Sequence, residues 1–279
     1  MPSQPRIAVI AHVFYPEMWP ELAACVRSIG ACDLMVTYVD DAAVMEARKD
    51  FPSACFLPCE NRGYDVWPFV KALKVLDFGR YDLVVKLHTK RDIAKPHPFT
   101  MGRTRLNGSA WREHLLAFAK TPEAWAKALG RFVDPKVGMV ADRHLVFGRT
   151  EGGKADFDAA VRELRGTFGI PAGRGGHFVG GTMFAVRAAL MKPFADYAFT
   201  PEMFPAGGTH EPSTYAHLME RMLGLAVEGQ GYRLAAFNGS VRWRRFWCAV
   251  GKFFFDSRWS ERRRSIRICG ITVYMRRLK

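Results

Sequence analysis

Apolar positions along the chain fall into two periods that alternate. Residues 6–13 (RIAVIAHV) form a short continuous apolar run bounded by Pro16, the pattern of a strand buried on both faces. Leu22, Val26 and Ile29 then recur at helical spacing and stop at Gly30. A second apolar strand at 34–39 ends on Asp40 and Asp41, followed by a short polar helix and a third strand around 54–57. Residues 66–76 return to helical spacing, and 81–88 (YDLVVKLH) make a fourth strand. Strands alternating with helices predict an α/β fold, a mostly parallel Rossmann-like sheet flanked by helices.

The second half is less regular. Residues 111–119, 123–132 and 157–168 have helical spacing, and 137–141 read as a strand. The strand pattern at 178–186 is broken by Gly180 and Gly181, which marks a bulge or the close approach of another group. The window 175–182 comes near the phosphate-loop pattern, but Gly181 stands where that loop needs lysine and the window precedes a strand, which excludes it. A helix over 215–225 follows, with Thr209 or Ser213 as candidate caps, Pro212 suited to a first turn and Glu211 at the entrance. His217 and Glu220 lie three apart on one helical face with Thr214. For both, a structural hydrogen bond and a chemical role stand open. Glu211 likewise reads as a plain helix-entry charge or as a catalytic carboxylate.

Open parallel sheets take ligands beyond the carboxyl ends of their strands. Those ends carry His12, the Asp40–Asp41 pair, Asn61 through Asp65, and His88 through Arg91. On the fourth strand, period 2 puts Lys86 and His88 on one face, and Lys90 joins them if the extended chain continues. Two cations and an imidazole converging at a strand end fit a phosphate or diphosphate. The alternative is a solvated edge.

Charge divides the chain in two. Its 279 residues carry +14, but 240–279 hold twelve basic and two acidic residues, a net of +10, leaving 29 basic against 25 acidic, or +4, on the first 239. Residues 1–239 are therefore expected to form the folded domain and 240–279 a basic, aromatic, membrane-associating tail. There Trp243, Phe246, Trp247, Val250, Phe253 and Phe254 follow helical spacing among arginines, the composition of an amphipathic helix lying on an anionic membrane. Packing of that stripe against the body is the competing reading. Nucleic acid is the rival anionic partner, disfavoured because no nucleic-acid-binding motif accompanies the tail. The N-terminal apolar run is too short for a signal or a span, which predicts a cytoplasmic protein peripheral on the inner face of the plasma membrane. Six scattered cysteines without a CxxC pair predict reduced thiols.

Five motifs in order, 11–15 (AHVFY), 60–69 (ENRGYDVWPF), 86–90 (KLHTK), 180–184 (GGTMF) and 216–221 (AHLMER), resemble the rhamnan synthesis protein F family of bacterial glycosyltransferases. The layout is also similar to GT-A nucleotide-sugar transferases. The resemblance implies transfer of a sugar, rhamnose from dTDP-rhamnose, onto a cell-surface polysaccharide or lipid-linked glycan. It implies nucleotide contacts from His12, Asn61 and Asp40 or Asp41, and puts Gly181, Thr182, His217 and Glu220 on the acceptor side. Where that fold usually carries a metal-binding Asp-x-Asp, this chain has His88-Thr89-Lys90. The expectation is therefore transfer without a metal or other cofactor, with Lys86, His88 and Lys90 neutralising the diphosphate. Glu211 is the expected general base and Asp65 the second choice. The alternatives are a non-catalytic nucleotide- or sugar-binding module and a nucleic-acid-binding protein.

Overall fold

The computed structural model describes residues 4–92, 99–101, 104–106, 109–148, 155–171, 176–207, 214–240, 250, 253–260 and 263–277. In chain order the elements are β1 (Ile7–Val13), α1 (Trp19–Ile29), β2 (Asp33–Tyr38), α2 (Met45–Asp50), β3 (Cys55–Pro58), α3 (Val66–Val75) and β4 (Leu83–His88). A small hairpin, β5 (Phe99–Met101) and β6 (Thr104–Leu106), leads to α4 (Ala110–Leu116), α5 (Pro122–Gly130), β7 (Val137–Ala141), β8 (Val146–Phe147) and α6 (Ala155–Thr167). Then come β9 (Phe178–Val179), β10 (Phe184–Arg187), α7 (Lys192–Asp196), α8 (Tyr215–Gly229) and β11 (Arg233–Ala236).

Seven strands form one sheet in the order β11-β7-β10-β4-β1-β2-β3. All neighbours are parallel except β10, which runs antiparallel to both β4 and β7. The expected mostly parallel α/β sheet is therefore present. β1, β4 and β7 are buried at every position, which is why they read as apolar runs broken only by His12, Lys86 and His88. Helix α1 buries Trp19, Leu22, Ala23, Val26 and Ile29, an apolar stripe at helical spacing. Right-handed crossovers put α1 and α3 on opposite faces of the sheet, because β1 leads to β2 in one direction and β3 leads back to β4 in the other. Helices α7 and α8 pack with α3, whereas α5 packs with α1.

The broken strand at 178–186 resolves into two short strands in different sheets. β9 pairs antiparallel with β8, and β10 enters the main sheet. The Gly180–Gly181 step is the crossing between them. Helix α8 begins at Tyr215, so its cap is Thr214; Thr209, Glu211, Pro212 and Ser213 lie outside the described residues.

At the C-terminus, half of the aromatic stripe, namely Trp243, Phe246 and Trp247, also lies outside the described residues. The described residues beyond it are not helical. β12 (Phe255–Ser260), β13 (Arg263–Ile268) and β14 (Ile271–Arg277) form an antiparallel three-stranded meander. Ile271, Val273, Tyr274 and Met275 of β14 are exposed. No helix among the described residues is long and apolar enough to cross a membrane. Cys25, Cys32, Cys55, Cys59 and Cys269 are free thiols.

One residue ties the ends of the two central strands together. Thr89, 3% exposed, follows β4, and its Oγ1 accepts hydrogen bonds from the amides of Phe14 (2.9 Å) and Tyr15 (3.0 Å) just past β1. Its own amide donates to the His12 carbonyl at 2.9 Å. Thr89→Val keeps the shape but leaves two amides without an acceptor. We expect a loss of about 1–3 kcal/mol in urea unfolding, with Thr89→Ser close to wild type.

Candidate functional site

The carboxyl ends of β1, β2 and β4 lie side by side, and their polar residues are in register. His12 pairs with Thr37 on one side and His88 on the other, while Lys86 lies opposite Ile10. His12 Nδ1 contacts Thr37 Oγ1 (3.0 Å) and the Thr37 carbonyl (3.2 Å). Burial lowers the His12 pKa to about 4 and the His88 pKa to about 3, despite the nearby Asp65 charge, so both imidazoles are neutral near pH 7.

Lys86 is the central feature. It is 1% exposed, in the middle of the sheet, with its ammonium 5.4 Å from the centre of the Phe69 ring. A buried ammonium requires a partner. Asp65 supplies it: Lys86 Nζ donates to Asp65 Oδ2 and, at 2.8 Å, to Thr182 Oγ1. The Thr182 hydroxyl in turn donates to the same Asp65 oxygen. His88 Nδ1 lies 3.6 Å from that oxygen and, although buried, has no hydrogen-bond partner among the described residues. Burial opposes the Asp65 charge, but His88, Lys86 and the Thr182 hydroxyl outweigh it and hold the carboxyl well below the usual carboxylate range. Burial also lowers the Lys86 pKa from its ordinary value, against the pull of Asp65.

Both partners are delivered by strained turns. Asp65 stands at the N-terminus of α3, after Gly63 and Tyr64, whose φ angles are 60° and 57°. A Cβ on Gly63 would come within 2.7 Å of the Phe204 side chain, so only glycine fits there. The loop is fastened from the other side, because Gly63 donates to the Pro205 carbonyl (2.9 Å) and Arg62 Nη1 to that of Phe204 (2.9 Å). Thr182 follows Gly181, and their φ angles are 54° and 75°. A Cβ on Gly181 would meet Leu115 (2.6 Å) and Trp111 (2.8 Å) of α4, the close approach that paired glycines predict.

Glu220 of α8 holds that same turn, with Oε1 accepting from the Gly181 amide at 2.6 Å. Burial, aided by the Asp65 charge, raises its pKa above the ordinary glutamate value. Among the described carboxylates with a resolved shift, it is the one made more basic. His217, three residues earlier, belongs to the helix cap: Thr214 engages its Nδ1 through the hydroxyl (2.8 Å) and the amide (3.3 Å). The structural reading therefore accounts for the His217 contacts.

The remaining predicted residues sit at the same edge of the sheet but outside the cluster. Asp40 and Asp41 are exposed beyond β2. Asp40 caps the next turn through the Ala42 amide (3.0 Å), and Asp41 pairs with Arg48 at 3.2 Å. Asn61 is exposed, and its carbonyl accepts from Gly207 at 2.8 Å. Lys90 is partly exposed just past β4. The expectation of three convergent groups facing a diphosphate changes accordingly. Asp65 neutralises Lys86 and His88 is neutral, which leaves Lys90 as the positive charge of that set. Asp65 itself, already bonded to Lys86 and Thr182 and strongly acidic, is a positioning residue by its surroundings and a poor base.

A second polar group lies at the end of β7. Asp142, 1% exposed, is flanked by His114 of α4 and His144 of the following turn, three residues that the sequence reading did not single out. The visible signal was an aspartate directly after a predicted strand with a histidine two residues on.

Comparison with known proteins places this geometry in context. The family described as rhamnan synthesis protein F matches the chain over residues 1–232. The chain is similar to the uncharacterized protein WxcX of two Xanthomonas campestris pv. campestris strains, at 28% identity over 245 residues that cover 85% of this chain and 33% of each relative. It thus spans about a third of the length of those relatives. Among solved structures, 4-diphosphocytidyl-2C-methyl-D-erythritol synthase from Anaerococcus prevotii aligns at 9% identity and a TM-score of 0.38, covering 89% of this chain and 98% of that one. A second structure of a synthase of that name aligns at 13% and 0.40, covering 86% and 91%.

The buried pair makes a direct prediction. Lys86→Met leaves the Asp65 charge buried without its partner and should cost about 3 kcal/mol in urea unfolding. Adding Asp65→Asn removes that charge and should recover at least half of the loss. Additive losses in the double variant would mean that the two residues are not coupled.

Proposed function

The chain belongs to the rhamnan synthesis protein F family, and from that premise we propose that it is a glycosyltransferase of polysaccharide synthesis that uses a nucleotide-sugar donor. The observation that carries this reading is the buried Lys86–Asp65–Thr182 cluster at the carboxyl edge of a parallel sheet, where open α/β folds hold nucleotides. The donor is dTDP-rhamnose and the acceptor a cell-surface polysaccharide or lipid-linked glycan. Asp40 or Asp41 faces the nucleoside, and Lys90 meets the diphosphate with neutral His12 and His88 as hydrogen-bonding groups beside it. The Lys86–Asp65 pair fixes the turns that shape the pocket.

The transfer step needs a base for the acceptor hydroxyl. Glu211 is one candidate, from the family resemblance. Glu220 is the other, supported by its raised pKa and its contact with the Gly181 turn. Transfer from dTDP-rhamnose by Glu211→Gln and Glu220→Gln distinguishes them. The base variant should lose about 10²–10⁴ in kcat with dTDP affinity unchanged, whereas the other should stay within a few-fold of wild type. Full activity in both variants would remove both carboxylates from the role, and an absence of nucleotide binding in wild type would favour a non-catalytic module.

We further propose that the tail docks the enzyme on the inner face of the plasma membrane. Exposed Ile271, Val273, Tyr274 and Met275 alongside Arg267 and Arg276 support this. Flotation with anionic liposomes should carry the full chain at low salt and lose it on removal of 240–279. Equal flotation of both forms would contradict the anchor.

A further inference from the structure

We infer that His114, Asp142 and His144 form a binding site for a divalent first-row transition ion, at the carboxyl end of β7. Among the described residues they are the one cluster of three or more such side chains whose ligand atoms all lie within 4.8 Å of one another. His144 Nδ1 is 2.8 Å from Asp142 Oδ1, and His114 Nδ1 is 3.2 Å from Asp142 Oδ2. The two imidazole rings are 4.3 Å apart between centroids. An ion bound about 2.1 Å from each ligand holds neighbouring ligand atoms about 3–3.4 Å apart, close to the distance at which each imidazole stands from one Asp142 oxygen.

The surroundings are those of a ligand set with its own supports. Asp142 is fixed from behind: the His144 amide donates to Oδ1 at 2.6 Å and Asn238 Nδ2 to Oδ2 at 3.0 Å. Asn238 is held in turn by the Arg143 amide, which donates to its Oδ1 at 3.0 Å. Such outer hydrogen bonds orient metal-binding carboxylates. The histidines differ from Asp142 in exposure: their side chains are 27% and 24% exposed against 1%. An ion held by all three would have protein on one side and water on the other, with coordination positions left open.

Two imidazoles and one carboxylate select Mn²⁺, Co²⁺ or Zn²⁺ over Mg²⁺ or Ca²⁺, which take oxygen ligands. Without an ion, both histidines donate their Nδ1 protons to Asp142. With one, both Nδ1 lone pairs face the ion, and His144 Nε2 carries the proton. The long 3.4 Å contact from Arg143 Nε to that Nε2 must then give way.

The site adjoins the cluster described above. Leu115, next to His114 on α4, lies against Gly181, and Leu145, next to His144, accepts a hydrogen bond from Gly180 at 2.9 Å. An ion here would therefore place positive charge beside the turn that carries Thr182.

Co²⁺ titration of the chelator-stripped full chain, followed by its visible absorption, tests the site. One equivalent should bind. His114→Ala and His144→Ala, each checked for fold by circular dichroism, should weaken binding about tenfold or more, whereas His177→Ala should not. Nitrogen NMR of the wild-type chain answers the same question without a variant: Zn²⁺ should shift the ring signals of two of the eight histidines and leave the others in place. No stoichiometric Co²⁺ binding, affinity unchanged in both variants, or no histidine shift with Zn²⁺ would overturn the assignment and leave a structural hydrogen-bonded trio. Binding is read without donor or acceptor, so its failure would not touch the transferase proposal.

Discussion

A lysine ammonium buried in the middle of a central strand is the constraint around which the site is organised. β4 lies between β1 and β10, and Lys86 has almost no access to water. Its charge is tolerable only because a carboxylate and a hydroxyl reach it from two separate loops. Hydrophobic residues of the same volume would stabilise such a position as well or better. Retention of an ion pair there points to a role other than stability.

The geometry needed to satisfy Lys86 propagates outward. Asp65 arrives only if Gly63 and Tyr64 adopt left-handed conformations, and Thr182 only if Gly181 and it do the same. These turns are held by independent clamps: the 204–207 segment on one side, α4 and Glu220 of α8 on the other. The Gly181 turn thus touches α4, which belongs with the α1 layer through the Arg112–Glu21 ion pair, and α8, which packs with α3. Both helical layers are coupled at the edge where a ligand would enter. Backbone strain of this kind persists where the surroundings over-determine it.

Much of this was legible in the sequence because the central strands are buried on both faces and so read as plain apolar runs. The polar residues within them and in the loops that follow, His12, Asp65, Lys86 and His88, stood out against that background and come together. The Gly180–Gly181 break correctly marked a close approach. Pairing was not legible: nothing in the spacing of Asp65 and Lys86 shows that one neutralises the other, since that depends on how the loop before α3 folds over β4. His217 was open to a structural or a chemical role in the sequence, because capping and catalysis draw on the same polar atoms at a helix start, and its Nδ1 serves the cap. His114 could not be linked to Asp142 from sequence, since they lie 28 positions apart and only the fold brings α4 beside the end of β7. The meander at 255–277 was obscured by its arginines, which mask the alternation of a strand.

The central claim is that a nucleoside diphosphate sits at the carboxyl edge of β1, β2 and β4, over the Lys86–Asp65 pair. A crystal structure of the full chain with dTDP tests it most directly. The account predicts the diphosphate within hydrogen-bond distance of Lys90 and of His12 or His88, with the thymidine toward Asp40 and Asp41 and the Lys86–Asp65 pair intact beneath. Nucleotide bound on another face of the sheet, or a diphosphate that displaces Asp65 from Lys86, would contradict it.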